Sequence, residues 1–281
     1  MAVLALGCAA PAHLRLSVLP VGYGDALLLH SSEGHAVLID GGPPQRLPHD
    51  GLVAWLATQG VLRLDAVICT HSHEDHIGGL IAALEALPVV RFYAPPWRET
   101  NAWTARIETL LRARNIPRVV FAAGGDLTLG TMRIRAISPA PGGAEVAPAP
   151  ALLNEFSLAL DLHFGAARAL LLADITTNTQ EQLLRNGGQW RAAIMKIPHH
   201  GARDAYCPAF LQAVRPAQAV LTVGPNPFGS PAPDVVAAYE QCTRLWRTDR
   251  DGVVTFDLLP DGTVTPQSER ARNNETLGVV E

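Results

Sequence analysis

A chain of 281 residues that is 48% hydrophobic has enough apolar material for one large packed domain, which excludes a disordered chain. Its net charge of −4 excludes a molecule that grips nucleic acid by bulk positive charge, while leaving room for a local basic surface. Four scattered cysteines, Cys8, Cys69, Cys207 and Cys242, form no Cys-x-x-Cys and read as mostly buried thiols, not a disulfide framework.

Residues 1–13 are small and apolar, with no basic residue ahead of them. They are too short to span a bilayer and lack the charged start of a secretory signal. Leu6-Gly7-Cys8 faintly matches a lipoprotein cleavage site, and the segment also fits the end of a longer apolar stretch. Residues 14–19 alternate apolar and polar and read as a strand. Val21-Gly22-Tyr23-Gly24-Asp25 is a glycine turn ending in a carboxylate. Residues 26–30 and 35–39 read as a hairpin, closed by Asp40-Gly41-Gly42. Asp40 is placed to support a metal ligand from behind, or to be an ordinary turn aspartate. Residues 52–59 read as a short helix stopped by Gly60.

Residues 64–69 are an apolar run that reads as a buried strand, and 80–87 read as a helix. Between them lies Thr70-His71-Ser72-His73-Glu74-Asp75-His76-Ile77-Gly78-Gly79. Three histidines and an aspartate in six residues form a natural ligand set for zinc and similar divalent ions. His71 and His73, two apart on an extended segment, point the same way and can hold one ion. Asp75 and His76 come as the chain turns into the helix and can face a second, nearby point. Gly78 and Gly79 are expected to let the backbone bend there. Two ions about 3.5–4 Å apart suit metal-assisted hydrolysis.

Further strands are expected at 89–93, 127–129 and 132–137, with a helix at 101–114. The arginines on and after that helix, Arg106, Arg112, Arg114 and Arg118, read as a solvated face in preference to a DNA-binding surface. Residues 139–150 form a Pro-, Gly- and Ala-rich loop that could cover the site. Asn154-Glu155-Phe156-Ser157 opens a strand pair whose second member is nearly all apolar and ends in Asp174. Alone, Asp174 fits a helix cap as well as a bridge between two ions. After a helix at 177–185, another apolar strand runs into His199-His200-Gly201, the second strong signal. Helix 208–214, strand 219–223, helix 234–242 and strands around 245–258 follow. From residue 260 the sequence is polar and aperiodic, so 14–260 is expected as the domain and 261–281 as a mobile tail.

His-x-His-x-Asp-His after a strand resembles the signature of the metallo-β-lactamase superfamily. That resemblance implies an α/β, four-layer αββα sandwich with the ions at one edge. Val21 to Asp25, Leu38 to Gly42, His71 to Gly79, Leu170 to Asp174, Ile197 to Gly201 and Arg247-Thr248-Asp249 occur in this order. Together they resemble the metallo-β-lactamase-type domain of ComEC-family DNA-uptake proteins over roughly residues 14–258. The resemblance implies that His71 and His73 hold one ion, Asp75 and His76 the other, with Asp174 bridging. His200 or His199 completes the second ion, and the other contacts substrate. It places Asp40, and by position Asp25, behind the site. Many superfamily members carry one more metal-binding histidine, for which only His163 is available, inside a strand without the usual motif. The branch has Asn-x-x-Ser there instead, matched by Asn154 and Ser157, which leaves one ion with three protein ligands. Two departures are Ala202, where the branch usually has serine, and Ser230-Pro231, where it tends to have His-Pro.

The implied cofactor is a pair of divalent ions, zinc or else manganese. The implied activity is a phosphodiesterase or nuclease acting on DNA, with Asp75 and His199 catalytic. Two alternatives stand beside it. One is a hydrolase of small lactones, β-lactams or phosphocholine-type esters, whose activity would depend less on salt than DNA cleavage. The other is a non-catalytic, metal-stabilised module of an uptake assembly. A membrane-channel partner is implied by the DNA-uptake family. The location would be cytoplasmic for a free-standing chain and extracytoplasmic, at the membrane, for part of an uptake system.

Overall fold

A computed structural model describes residues 12–44, 49–96, 101–141 and 150–276. Residues 1–11, most of the loop expected to cover the site, and residues 277–281 lie outside the described residues.

Two mixed sheets pack face to face, with helices on both outer faces. The first sheet contains β1 (Leu14–Val18), β2 (Leu27–Ser31), β3 (Ala36–Ile39), β4 (Ala66–Ile68), β5 (Phe92–Ala94) and β6 (Arg118–Val120), and later β14 (Val254–Leu258) and β15 (Val264–Ser268). Its order is β15-β14-β1-β2-β3-β4-β5-β6. The second contains β7 (Asp126–Leu129), β8 (Met132–Ser138), β9 (Ala159–Phe164), β10 (Ala167–Leu171), β11 (Ile194–Lys196), β12 (Gln218–Leu221) and β13 (Arg244–Arg247). It runs β13-β12-β11-β10-β9-β8-β7. The α/β sandwich expected from the sequence is the fold observed.

The two-residue period of a strand explains the layering. In β2, Leu27 and Leu29 enter the core between the sheets, while Leu28 faces the outer helices. In β10, Ala169 and Leu171 face inward, and Leu170 joins the opposite outer layer. The helices α1 (His49–Thr58), α3 (Leu80–Ala86) and α4 (Ala102–Ala113) cover the first sheet, with the single turn α2 (Glu74–Ile77) ahead of α3. The helices α5 (Thr177–Arg185), α6 (Pro208–Val214) and α7 (Pro233–Glu240) cover the second, and the single turn α8 (Thr248–Asp251) follows β13.

Helix α4 starts at a reciprocal cap, in which Asn101 Oδ1 accepts from the Thr104 amide and Thr104 Oγ1 accepts from the Asn101 amide. Arg106 pairs with Glu85, Arg118 pairs with Glu108, and Arg114 donates to carbonyls at the end of α3. These arginines are committed to the fold, in line with a solvated face.

Three local expectations are corrected. Residues 154–157 do not open a strand; the chain there is a 3₁₀ turn, Pro150–Phe156, and β9 starts after it. The expected mobile tail is structured in its first part. Val264–Ser268 pairs antiparallel with β14, and α9 (Glu269–Thr276) follows. Gly78 and Gly79 have ordinary helical φ angles of −58° and −73°. What the position requires at Gly79 is space, since a Cβ there would overlap the Gly41 carbonyl. Among the described residues, Cys69 and Cys207 are buried and Cys242 is exposed. No helix of the described residues is long and apolar enough to cross a membrane.

Candidate metal centre

Parallel pairing sets the site. β3 pairs parallel with β4, and β10, β11 and β12 pair parallel in turn. The residues that follow their C-terminal ends therefore gather at one rim, where ligands usually sit in open α/β sheets. From the first sheet come Asp40, after β3, and the His71–His76 run, after β4. From the second come Asp174, after β10, and His199 and His200, after β11. Four of the six described non-glycine residues with positive φ lie here: Asp40 (54°), Ala173 (44°), His199 (47°) and His200 (51°). Left-handed backbone costs an L-residue about 1–2 kcal/mol. Its concentration at these strand ends marks a site over-determined by its surroundings.

The cluster expected from the sequence converges. His76 Nε2 lies 3.3 Å from Asp174 Oδ2 and 3.8 Å from Asp75 Oδ2. His200 Nε2 lies 3.4 Å from Asp75 Oδ2 and 3.6 Å from Asp174 Oδ2. One ligand atom from each of these four residues fits within 4.8 Å of the others. On the other side of Asp174, His71 Nε2 is 3.8 Å from its Oδ2 and 3.0 Å from His73 Nδ1. Asp174 thus belongs to the four-residue group (Asp75, His76, Asp174, His200) and also approaches His71, which in turn contacts His73.

Hydrogen bonds behind the histidines aim them. Asp40 accepts from His76 Nδ1 at 2.8 Å, from the Thr70 hydroxyl at 2.6 Å and from the Thr70 amide at 2.8 Å. The Thr70 hydroxyl, having donated to Asp40, accepts from His71 Nδ1 at 3.1 Å. The Thr222 carbonyl accepts from His200 Nδ1 at 3.0 Å. The network therefore assigns the Nδ1–H tautomer to all three rings and turns each Nε2 lone pair into the site. His76 Nε2, His200 Nε2 and Asp174 Oδ1 are buried with no hydrogen-bond partner. Buried polar atoms are rarely left so. Imidazole nitrogens without partners, gathered around Asp174 Oδ2, are the donor set that zinc or manganese takes, so the residues fit a divalent pair.

The electrostatics show an excess of negative charge that, with no ion bound, keeps a second proton on His76. Burial pushes the His76 imidazole down, but Asp174, Asp75, Asp25 and Asp40 together hold it well above its ordinary value. Burial pushes Asp174 up, yet His76, His200 and Lys196 keep it well below the usual carboxylate range. Burial, then the charge of His76, holds His71 well below its ordinary value. The surplus of carboxylates calls for added positive charge.

The remaining expected residues divide. Asp25 is 1% exposed and backs both histidines, 3.9 Å from His76 Nδ1 and 3.8 Å from His200 Nδ1. His199 lines the open cavity, its Nδ1 3.0 Å from Asp204 and its Nε2 3.1 Å from Asn154 Nδ2. Ser157 reaches no ligand; it donates to the Asn154 carbonyl at 2.8 Å and fixes that turn. His163 lies elsewhere, lining a separate cavity with Arg133 and Arg168. Arg247 forks onto Asp249, and Thr248 Oγ1 binds both the amide and the carbonyl of Val223, which secures the chain beside Thr222.

Several contributors escaped the sequence reading. Lys196 is 1% exposed, with Nζ 2.5 Å from Asp25 and 3.0 Å from the Ala173 carbonyl. A lysine inside the apolar run Ile194-Met195-Lys196-Ile197 was the available signal. Thr222 donates to Asp25 at 2.6 Å, and Tyr23 packs its ring 4.3 Å from that of His200. Thr222 carried no signal in the sequence, and Tyr23 stood there only as part of a glycine turn. The cavity above the ligands has a volume of about 870 Å³ and is lined by Tyr23, His73, Asp75, Asp174, His199 and Phe228 among others.

Comparison with known proteins is consistent with this arrangement. The profile of the metallo-beta-lactamase superfamily matches residues 19–147. ComE operon protein 3 of Bacillus subtilis is 24% identical over 86% of the chain and 33% of its own length. Competence protein ComA of Neisseria gonorrhoeae is 27% identical over 86% of the chain and 32% of its own. The chain thus spans about a third of these relatives. A hydroxyacylglutathione hydrolase of Stenotrophomonas maltophilia is 39% identical over only 28% of the chain and 29% of its own length. Among solved structures, the metallo-beta-lactamase fold protein YhfI from Bacillus subtilis superposes with a TM-score of 0.56 at 15% identity, over 87% of the chain and 99% of its own. Fold, ligand geometry and profile agree: the chain has the metallo-β-lactamase fold, and its residues 19–147 match the model of the metallo-beta-lactamase superfamily.

Proposed function

We propose that this domain is a phosphodiesterase that cleaves DNA, using two divalent ions. The observation that carries the reading is the ring of unpartnered buried ligand atoms at the floor of an open cavity. The breadth of the match to proteins named for competence, against the short match to a hydroxyacylglutathione hydrolase, favours DNA over a small ester.

In this reading His71, His73 and Asp174 hold one ion, and Asp75, His76, Asp174 and His200 hold the other. Such ions supply Lewis acidity and a water nucleophile at neutral pH. The chain supplies the rest. Asp40, Thr70 and Thr222 keep the ligand rings in their working tautomer. Water gives one proton to solvent as its oxygen bonds to phosphorus and the bond to the leaving oxygen breaks; that oxygen takes a proton from His199, which solvent then restores. Burial pushes His199 down, but the hydrogen bond to Asp204 and the charge of Asp174 leave it above its ordinary value, which keeps a proton available. With His199 protonated, Asn154 presents its Oδ1, otherwise partnerless, by turning its amide.

Purified protein supplied with Zn²⁺ or Mn²⁺ is expected to cleave single-stranded DNA. Asp75→Ala should lose both bound metal and cleavage while keeping its circular dichroism spectrum. Cleavage that survives this change counts against the assignment. A small-molecule hydrolase is the second reading, favoured by the hydroxyacylglutathione hydrolase match. Salt dependence separates the two poorly here, because Arg203, the arginine that lines the cavity among the described residues, is already paired with Asp234 at 3.0 Å. A direct panel of DNA, thioester and lactone substrates on one preparation separates them.

A further inference from the structure

The loop after β12 is built around one side chain. Asn226 Nδ2 donates to the carbonyls of Gly224 at 2.9 Å and Ser230 at 2.6 Å. Its Oδ1 accepts from the amides of Phe228 at 3.0 Å and Ser230 at 3.3 Å. The loop is thereby fixed, and it presents Phe228 with 70% of its surface in solvent. Among the large hydrophobic side chains exposed in the described residues, Phe228 is the one aromatic ring. It lies at the mouth of the cavity that holds Asp174 and His199. Its ring is 5.1 Å from that of Tyr23, which in turn is 4.3 Å from that of His200. Aromatic rings thus step from the ligand cluster outward to the surface.

The charges of the cavity sharpen the point. Among the described residues its wall carries Glu74, Asp75 and Asp204, and its one arginine, Arg203, is paired with Asp234. From these residues a nucleic-acid strand entering here meets little positive charge beyond the centre itself. Grip on the neighbouring nucleotide then has to come from the face of its base, and stacking on aromatic side chains supplies that grip for any base identity. Only an unpaired base has a face to offer.

We propose that Phe228 is the stacking platform for the nucleobase next to the scissile phosphate, which makes single-stranded or frayed DNA the substrate class. This rests on the nuclease reading above. The test is fluorescence anisotropy with the metal-loaded protein and two labelled, phosphorothioate-linked strands of equal length, one of oligothymidylate and one abasic. Phe228→Ala should weaken binding of the thymidylate strand by about five- to a hundredfold and leave the abasic strand unchanged. Phe228→Trp should restore it. Equal effects of Phe228→Ala on both strands, or no effect on either, overturn the proposal. Cleavage of ordinary oligothymidylate is followed in parallel. Phe228-dependent binding without cleavage by the wild type supports the platform and removes only the nuclease reading.

Discussion

Lys196 offers the sharpest test of how the site is held. Its ammonium is 2.5 Å from Asp25 Oδ2, 3.0 Å from the Ala173 carbonyl and 3.8 Å from Asp174 Oδ1, and both Lys196 and Asp25 are 1% exposed. Lys196→Met keeps the aliphatic stem and removes the charge. Asp25 is then left buried without its cation, beside Asp40 and Asp174. Breaking a buried pair on one side costs about 3–5 kcal/mol. At this chain length that corresponds to a fall in Tm of roughly 6–20 °C. Asp25→Asn alone strands the lysine and should cost a similar amount. The double variant removes both charges, and its loss should fall short of the sum of the singles by about 2 kcal/mol or more. Some loss remains, because Asp174 also gives up a neighbour. The assay is urea unfolding of the four proteins in EDTA, so that ion binding does not mask the difference. Single losses that add within about 0.5 kcal/mol refute the coupling.

Two other outcomes follow from the structure. Gly79→Ala forces a methyl group against the Gly41 carbonyl, backbone against backbone, where no rotamer gives relief. A loss of about 1–3 kcal/mol is expected in thermal unfolding, and a Tm equal to that of the wild type would show that the contact relaxes freely. Burial, then the charges of Arg15 and His13, hold His30 below its ordinary value of about 6.5. Below that pH the unfolded chain takes up the proton first, so His30 lowers stability on the acid side and has no effect above. His30→Gln should therefore gain on the wild type as the pH drops from about 7 to about 5.5, and a difference that stays flat in urea unfolding would refute it.

The His71–His76 run was legible because its chemistry is local: four candidate ligands within six residues leave few other readings. Asp174 and His200 were visible as polar residues that end apolar strands, while their roles and the αββα layering were implied by the resemblance to the superfamily. Lys196 and Thr222 were not, since their roles arise from parallel pairing between distant strands, which places Lys196 level with Leu171 and Val220. Gly79 was read as a hinge because sequence reports backbone freedom, while its actual neighbour, Gly41, lies far away in the chain. The strand Val264–Ser268 was missed because an edge strand needs no apolar alternation. It pairs through its backbone, and Pro266 and polar side chains suit a sheet margin.

His71, His73 and His76 are delivered by one layer of the sandwich, and Asp174 and His200 by the other. Cations seated among them would act as a clasp between the two halves of the molecule. Their capture would come late in assembly, after both layers had met. Anything that pried the layers apart, whether heat, acid or a chelator, would release the ions and disarm the protein in a single event.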